Sequence, residues 1–131
     1  TQARRRAIIE RLRTWNVFSN SSPVEGITKA ISTFYQPDRK ISLYVFGDEF
    51  SGRSIQQVID VVDKINRADD AGNRLVRIHA VGFPVQFANP PRYQETGIKF
   101  SILMRTLCER NGGTFVGLND FTESNLLANP I

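Results

Sequence analysis

The densest chemistry-bearing stretch of the chain is Gly47-Asp48-Glu49-Phe50-Ser51-Gly52, which directly follows the apolar run ISLYVF at 41–46. Asp48 sits among glycines, with no aliphatic neighbour to hide it. Its carboxylate suits a hard-cation ligand or a hydrogen-bond acceptor that organises a rim. Asp and Gly are also turn formers, so Asp48 equally suits a turn or N-cap position ahead of the helix that opens at Ser54. Ser21 and Ser22 precede a second helix start, Ser22-Pro23-Val24-Glu25. Helix N-termini attract anions, and hydroxyls placed there can coordinate a hard cation. Ser22 already has a structural job as the N-cap of a capping box, whereas Ser21 has none. His79 is the single histidine and alternates with Ile78 and Ala80 within an apolar run, the pattern of a structural side chain. Cys108 is the single cysteine and lies on the apolar face of a helical segment, where it reads as core. Gly112-Gly113 follows a helix rather than opening one, so it is a cap and not a phosphate cradle. There is no Gly-x-Ser-x-Gly elbow and no His-Glu-x-x-His pair.

The elements that must position these groups follow from periodicity. Residues 4–15, RRRAIIERLRTW, predict a helix with Ile8, Leu12 and Trp15 on one stripe. Residues 16–21 break it. A second helix runs from the Ser22 cap to about Tyr35, with Val24, Ile27, Ile31 and Phe34 as its apolar face and Pro37 beyond its end. Ile41–Phe46 predicts a strand buried on both faces. Ser54 and Gln57 make a capping box for a third helix. Its stripe is Ile55, Val58, Ile59, Val62 and Ile65, while Asp60, Asp63, Lys64 and Arg67 face outward. Val76–Phe83 predicts a second strand. Residues 84–98, with three prolines and Gly97, predict a long loop. Lys99–Asn111 predicts a helix burying Phe100, Leu103, Met104, Leu107 and Cys108. Thr114–Leu118 predicts a third strand, and the tail past Asn119 a short helix. Strands alternating with helices of this length imply parallel pairing through right-handed crossovers, an α/β layered sheet.

Composition bounds the function. The chain has 131 residues, one domain's worth, with Lys+Arg 17 and Asp+Glu 13 for a net +4. Residues 1–13 hold five arginines against Glu10 alone, so the whole excess is local and the remainder is neutral. A nucleic-acid surface spread over the domain is therefore excluded, although Arg4, Arg5 and Arg6 could still meet phosphate. One cysteine excludes an intrachain disulfide framework and a Cys-rich zinc site. No apolar run approaches membrane-spanning length, and no signal peptide is evident. The expected setting is soluble and cytoplasmic.

Four pieces together resemble the C-terminal half of a von Willebrand factor A-like domain: SNSSPVEGI at 19–27, ISLYVFGDEFSG at 41–52, RIHAVGF at 77–83 and LMRTLCERNGGTFVGL at 103–118. Their order and spacing fit that family. The resemblance implies an α/β fold, a Rossmann-like three-layer arrangement with a mostly parallel sheet. It also implies a metal-ion-dependent adhesion site built from an Asp-x-Ser-x-Ser loop, a Thr from a second loop and an Asp from a third. Asp48 matches the third-loop Asp, although the chain reads Gly47-Asp48-Glu49 where the family reads Thr-Asp-Gly. Ser21 matches the second-loop Thr, because Gly26-Ile27 then fall at the usual offset, and Ser22 is the fallback. No Asp-x-Ser-x-Ser occurs in the chain. The fold thus looks incomplete at its N-terminus. The chain reads either as the latter part of a longer protein or as a degenerate domain without metal. The first is favoured because Ile41–Phe46 would otherwise leave an open strand edge.

The function expected from this resemblance is non-catalytic. Residues 1–131 would form a single, partial protein-binding domain, with residues 1–18 as a basic amphipathic helix and connector within it. A divalent cation, Mg²⁺ or another, would be held by Asp48 and Ser21 or Ser22 and completed from outside the chain. Glu49, Ser51, Arg53 and Gln86 would form the rim that meets a protein partner. The alternative is nucleic-acid association through Arg4, Arg5 and Arg6; against it, those arginines solvate a helix whose Ile8, Leu12 and Trp15 stripe packs inward. A small hydrolase pairing Asp48 or Glu49 with His79 is disfavoured, because His79 falls in mid-strand.

Overall fold

A computed structural model describes residues 1–15, 22–52 and 54–118. Four α-helices and three strands follow one another as α1 (Gln2–Arg13), α2 (Pro23–Phe34), β1 (Ile41–Gly47), α3 (Ile55–Ile65), β2 (Val76–Gly82), α4 (Glu95–Arg110) and β3 (Phe115–Gly117). The strands pair in the order β1-β2-β3 and all run parallel. This is an α/β fold compatible with a Rossmann-like layout.

The helix starts follow from their caps. The Ser22 hydroxyl accepts the Glu25 amide at 3.4 Å with Pro23 at the first helical position, and Ser54 accepts the Gln57 amide at 3.3 Å. Each satisfies an amide that the first turn leaves without an intrahelical partner. At the other end of α4, Gly112 takes φ +67° and the Gly113 amide reaches back to the Cys108 carbonyl at 2.8 Å. The chain then passes so close to β2 that a Cβ on Gly113 would lie 1.7 Å from the Ile78 carbonyl oxygen.

A strand order that steps one way, with right-handed crossovers, places every crossover helix on the same side of the sheet. The burial pattern agrees. Helix α2 packs beside α3, and α3 beside α4. Ile27, Ile31, Val58, Ile59, Val62, Phe100, Leu103, Met104, Leu107 and Cys108 meet Val76, Ile78 and Ala80 in one core. On the opposite face Ser42, Tyr44, Phe46, Arg77 and Val116 are exposed. The described residues thus form two layers, and the second helical layer of a three-layer fold is not among them.

Four expectations change. Strand β1 is not buried on both faces: its burial alternates, because it lies at the sheet edge with helices on one side only. The 84–98 loop is shorter than expected. Pro84–Ala88 and Pro91–Tyr93 are 3₁₀ turns, and α4 begins at Glu95 rather than Lys99. Glycine is needed at Gly97 in the first turn of α4, because a Cβ there would lie 2.8 Å from Gln86 Cβ. Asp63 does not simply face outward. It is half-buried and pairs with Arg74 at 3.0 Å and with Arg110. Finally, the Ile8, Leu12 and Trp15 stripe does not pack inward. All three are exposed, and α1 buries no residue. The expected tail helix lies outside the described residues.

Candidate functional site

In open α/β sheets, crevices form beyond the carboxyl ends of the strands. Here that end is closed by a small hydrogen-bonded rim. The Phe83 amide donates to the Gly47 carbonyl at 2.8 Å and the Phe50 amide to the Thr96 carbonyl at 3.0 Å. These bonds tie the segment after β1 to the segment after β2 and to the start of α4. The buried Phe50 ring packs under Gly52 and anchors the loop from below. Gly47 is required at the turn, because a Cβ there would lie 2.8 Å from the Phe100 ring.

On this rim Asp48 is half-buried and Glu49 exposed. The Gln86 side-chain amide bridges them, donating to Asp48 Oδ2 at 3.2 Å and Glu49 Oε2 at 3.4 Å. Gln86 is itself held by Asn89, whose Nδ2 donates to Gln86 Oε1 at 3.3 Å. Gln94 Nε2 secures the same turn by donating to the Asn89 carbonyl at 2.6 Å. The structure therefore brings Asp48, Glu49 and Gln86 together. Ser22 faces the same cleft, a hollow of about 350 Å³ whose walls include Gly26, Ile27 and Phe100. Ser51 is exposed. Ser21 and Arg53 lie outside the described residues.

The donor types of Ser22, Asp48 and Glu49 suit a hard cation, but their number is short of the six or more oxygens such an ion takes. Among the described residues, no group of three or more His, Cys, Asp or Glu is placed to hold a metal. A bound cation would also have to displace the Gln86 amide from its two carboxylates.

The remaining candidates have structural surroundings. His79 stacks on Tyr44 with ring centroids 4.9 Å apart, and its Nδ1 accepts the Thr114 amide at 3.1 Å. Register places it opposite Tyr44, four residues short of Asp48, or about 13 Å along the strand. Cys108 is 1% exposed, and burial pushes its thiol up to about 11, so it is not a thiolate at neutral pH. Arg4, Arg5 and Arg6 are exposed on α1 and make no ion pair among the described residues, whereas Arg13 pairs with Glu10 at 3.1 Å. Among the described residues, no helix is long and apolar enough to cross a membrane.

Sequence reasoning did not single out the apolar cleft walls, Gly26, Ile27 and Phe100. Each had been read as part of a helix. Gly26 is open at the cleft, with nothing within 4 Å of its Cβ position. The chain matches no protein-family model, no curated protein and no solved structure.

Proposed function

We propose that the chain is a non-catalytic protein-binding module resembling a von Willebrand factor A domain. Its rim, formed by Glu49, Ser51, Arg53 and Gln86 around Asp48, engages a protein partner. Asp48, with the hydroxyl of Ser21 or Ser22, contributes to a divalent-cation site for Mg²⁺ or a similar ion, completed by ligands from outside this chain. A second helical layer, also from outside the described residues, covers the open face of the sheet. The proposed setting is cytoplasmic. The observation that carries the reading is that Ser22, Asp48 and Glu49 line one cleft at the carboxyl end of a parallel strand. Thermal unfolding with and without Mg²⁺ or Mn²⁺ tests it. The expected result is a rise in melting temperature that Asp48→Ala abolishes. An unchanged melting point, for this chain and for a longer protein containing it, removes the cation.

The second reading is nucleic-acid association through Arg4, Arg5 and Arg6. It is favoured by the exposure of α1, which buries no residue. Three phosphate contacts predict a log–log salt dependence with a slope near −3, abolished by deleting residues 1–6. A salt-independent affinity would contradict it.

A further inference from the structure

The free edge of β1 carries a pattern that reads the same from both directions. Going outward from Tyr44, the strand has three uncharged residues on each side, then Lys40 and Arg39 before it and Asp48 and Glu49 after it. We propose that β1 pairs with β1 of a second copy of this chain, antiparallel, about a two-fold axis through Tyr44. The proposal goes beyond the rim reading and is tested without divalent cation, because a cation on Asp48 would compete with the charge match.

Three observations carry it. The first is the edge itself. Among the described residues β1 has one neighbour, β2, and its seven residues contain no charge and no proline, the usual devices that protect an edge from pairing. Tyr44 and Phe46 on its open face are 60% and 63% exposed. The second is phase. The Gly47 carbonyl points to β2, where it accepts the Phe83 amide. Backbone groups alternate in direction along a strand, so those of Ser42, Tyr44 and Phe46 point to the free edge. An axis through Tyr44 makes Tyr44–Tyr44 and the two Ser42–Phe46 pairs hydrogen-bonded pairs. Leu43 then lies opposite Val45 of the second copy on the helix side, where the cleft of about 350 Å³ runs along β1.

The third is charge. Lys40 and Arg39 lead into the strand and Asp48 and Glu49 leave it, so this register brings the basic end of one β1 to the acidic end of the other, and the symmetry repeats the match. Lys40 makes no ion pair within the described residues. Arg39 has only an exposed neighbour, Asp38, at 3.9 Å. A parallel self-pairing would set like charges side by side, which is destabilising. The contact is isologous and closes as a dimer with one continuous sheet.

Sedimentation velocity over a concentration series tests the proposal, using the 131-residue chain. The expected result is a monomer–dimer equilibrium that weakens as salt rises. The double variant Arg39→Glu with Lys40→Glu, and separately Asp48→Lys with Glu49→Lys, each weaken the dimer about tenfold or more. Mixing the two variants restores it, because every cross-strand pair is then of opposite sign. These positions lie outside the core, so circular dichroism of each variant matches the parent. A monomer at all concentrations, a dimer indifferent to both charge reversals, or a mixture that stays monomeric would overturn the proposal. So would assembly beyond the dimer.

Discussion

Asn66 and Asn111 lie side by side in the core, with Asn66 Nδ2 donating to Asn111 Oδ1 at 2.8 Å. Asn66 also brackets the first residue of β2: its Nδ2 donates to the Val76 carbonyl and its Oδ1 accepts the Val76 amide. Asn111 Nδ2 closes the network on the Leu107 carbonyl at 2.7 Å. The pair joins the end of α3, the start of β2 and the end of α4 at one buried point. Every polar side-chain atom of the two residues has a partner, so the network orders the core instead of weakening it.

Removing the Asn66 side chain leaves buried backbone groups unsatisfied. Asn66→Ala is expected to lower unfolding free energy by about 2–4 kcal/mol, because it orphans both backbone polar groups of Val76 and the side-chain Oδ1 of Asn111. Chemical denaturation of the variant checks this. A loss under about 0.5 kcal/mol, the range of an ordinary surface change, would contradict the network's role.

Gly113 is fixed by proximity. Gly113→Ala places a methyl group 1.7 Å from the Ile78 carbonyl oxygen, so the start of β3 must move away from β2. A loss of about 3 kcal/mol or more is expected. Gly26→Ala is its control, because a Cβ there meets nothing within 4 Å. In mid-helix that change should stabilise, by about 0.5–1 kcal/mol.

Asp63 binds two cations at once. It sits 3.0 Å from Arg74 and also pairs with Arg110, whose guanidinium is held more firmly protonated by the hydrogen bonds it donates to Asp63. Asp63→Ala leaves the mostly buried Arg74 without its carboxylate. A loss of about 1–2 kcal/mol is expected in equilibrium unfolding, and Arg110→Ala should cost less because that side chain is half exposed.

Asp69 gives the fold an acid limb. Its carboxylate accepts the Asn73 amide at 2.7 Å and the Ala71 amide at 3.0 Å, and the Asn73 bonds lead in holding it below the ordinary value of 3.8. A lowered folded value means the stabilisation is fully present above the unfolded value and lost as pH falls through the folded one. The stability gap between the parent and Asp69→Ala should therefore be constant from neutral pH down to about 5 and close below about 4. Unfolding curves taken from pH 7 to 2 test the sign. A gap that widened in acid would be inconsistent with it.

Much of this fold was legible from local signals. Ser22 and Ser54 marked two helix starts, and Phe100, Leu103, Met104, Leu107 and Cys108 marked the buried face of α4, because caps and helical periods are written within a few residues. The exposure of β1 was not legible. ISLYVF is apolar at nearly every position, as a central strand is, and only the sheet order shows that β1 stands at the end of the three described strands. Asn66 was hidden for a related reason. An Asn after a helix reads as a cap, and its burial depends on Asn111, forty-five residues away. At the rim, Asp48 stood out by its glycine-rich setting, but the role of Gln86 as the bridge between the two carboxylates depends on a long-range turn.

The central claim is that the cleft at the end of β1 is the working surface, with Asp48 and a serine hydroxyl facing a cation. Backbone amide NMR with substoichiometric Mn²⁺ tests this directly, since paramagnetic broadening reports even a weak, partly built site. The account predicts broadening concentrated at Ser22, Asp48, Glu49 and Gln86 and lost in Asp48→Ala. Broadening centred instead on the exposed Asp69 and Asp70 turn, or spread evenly over the surface, would contradict it.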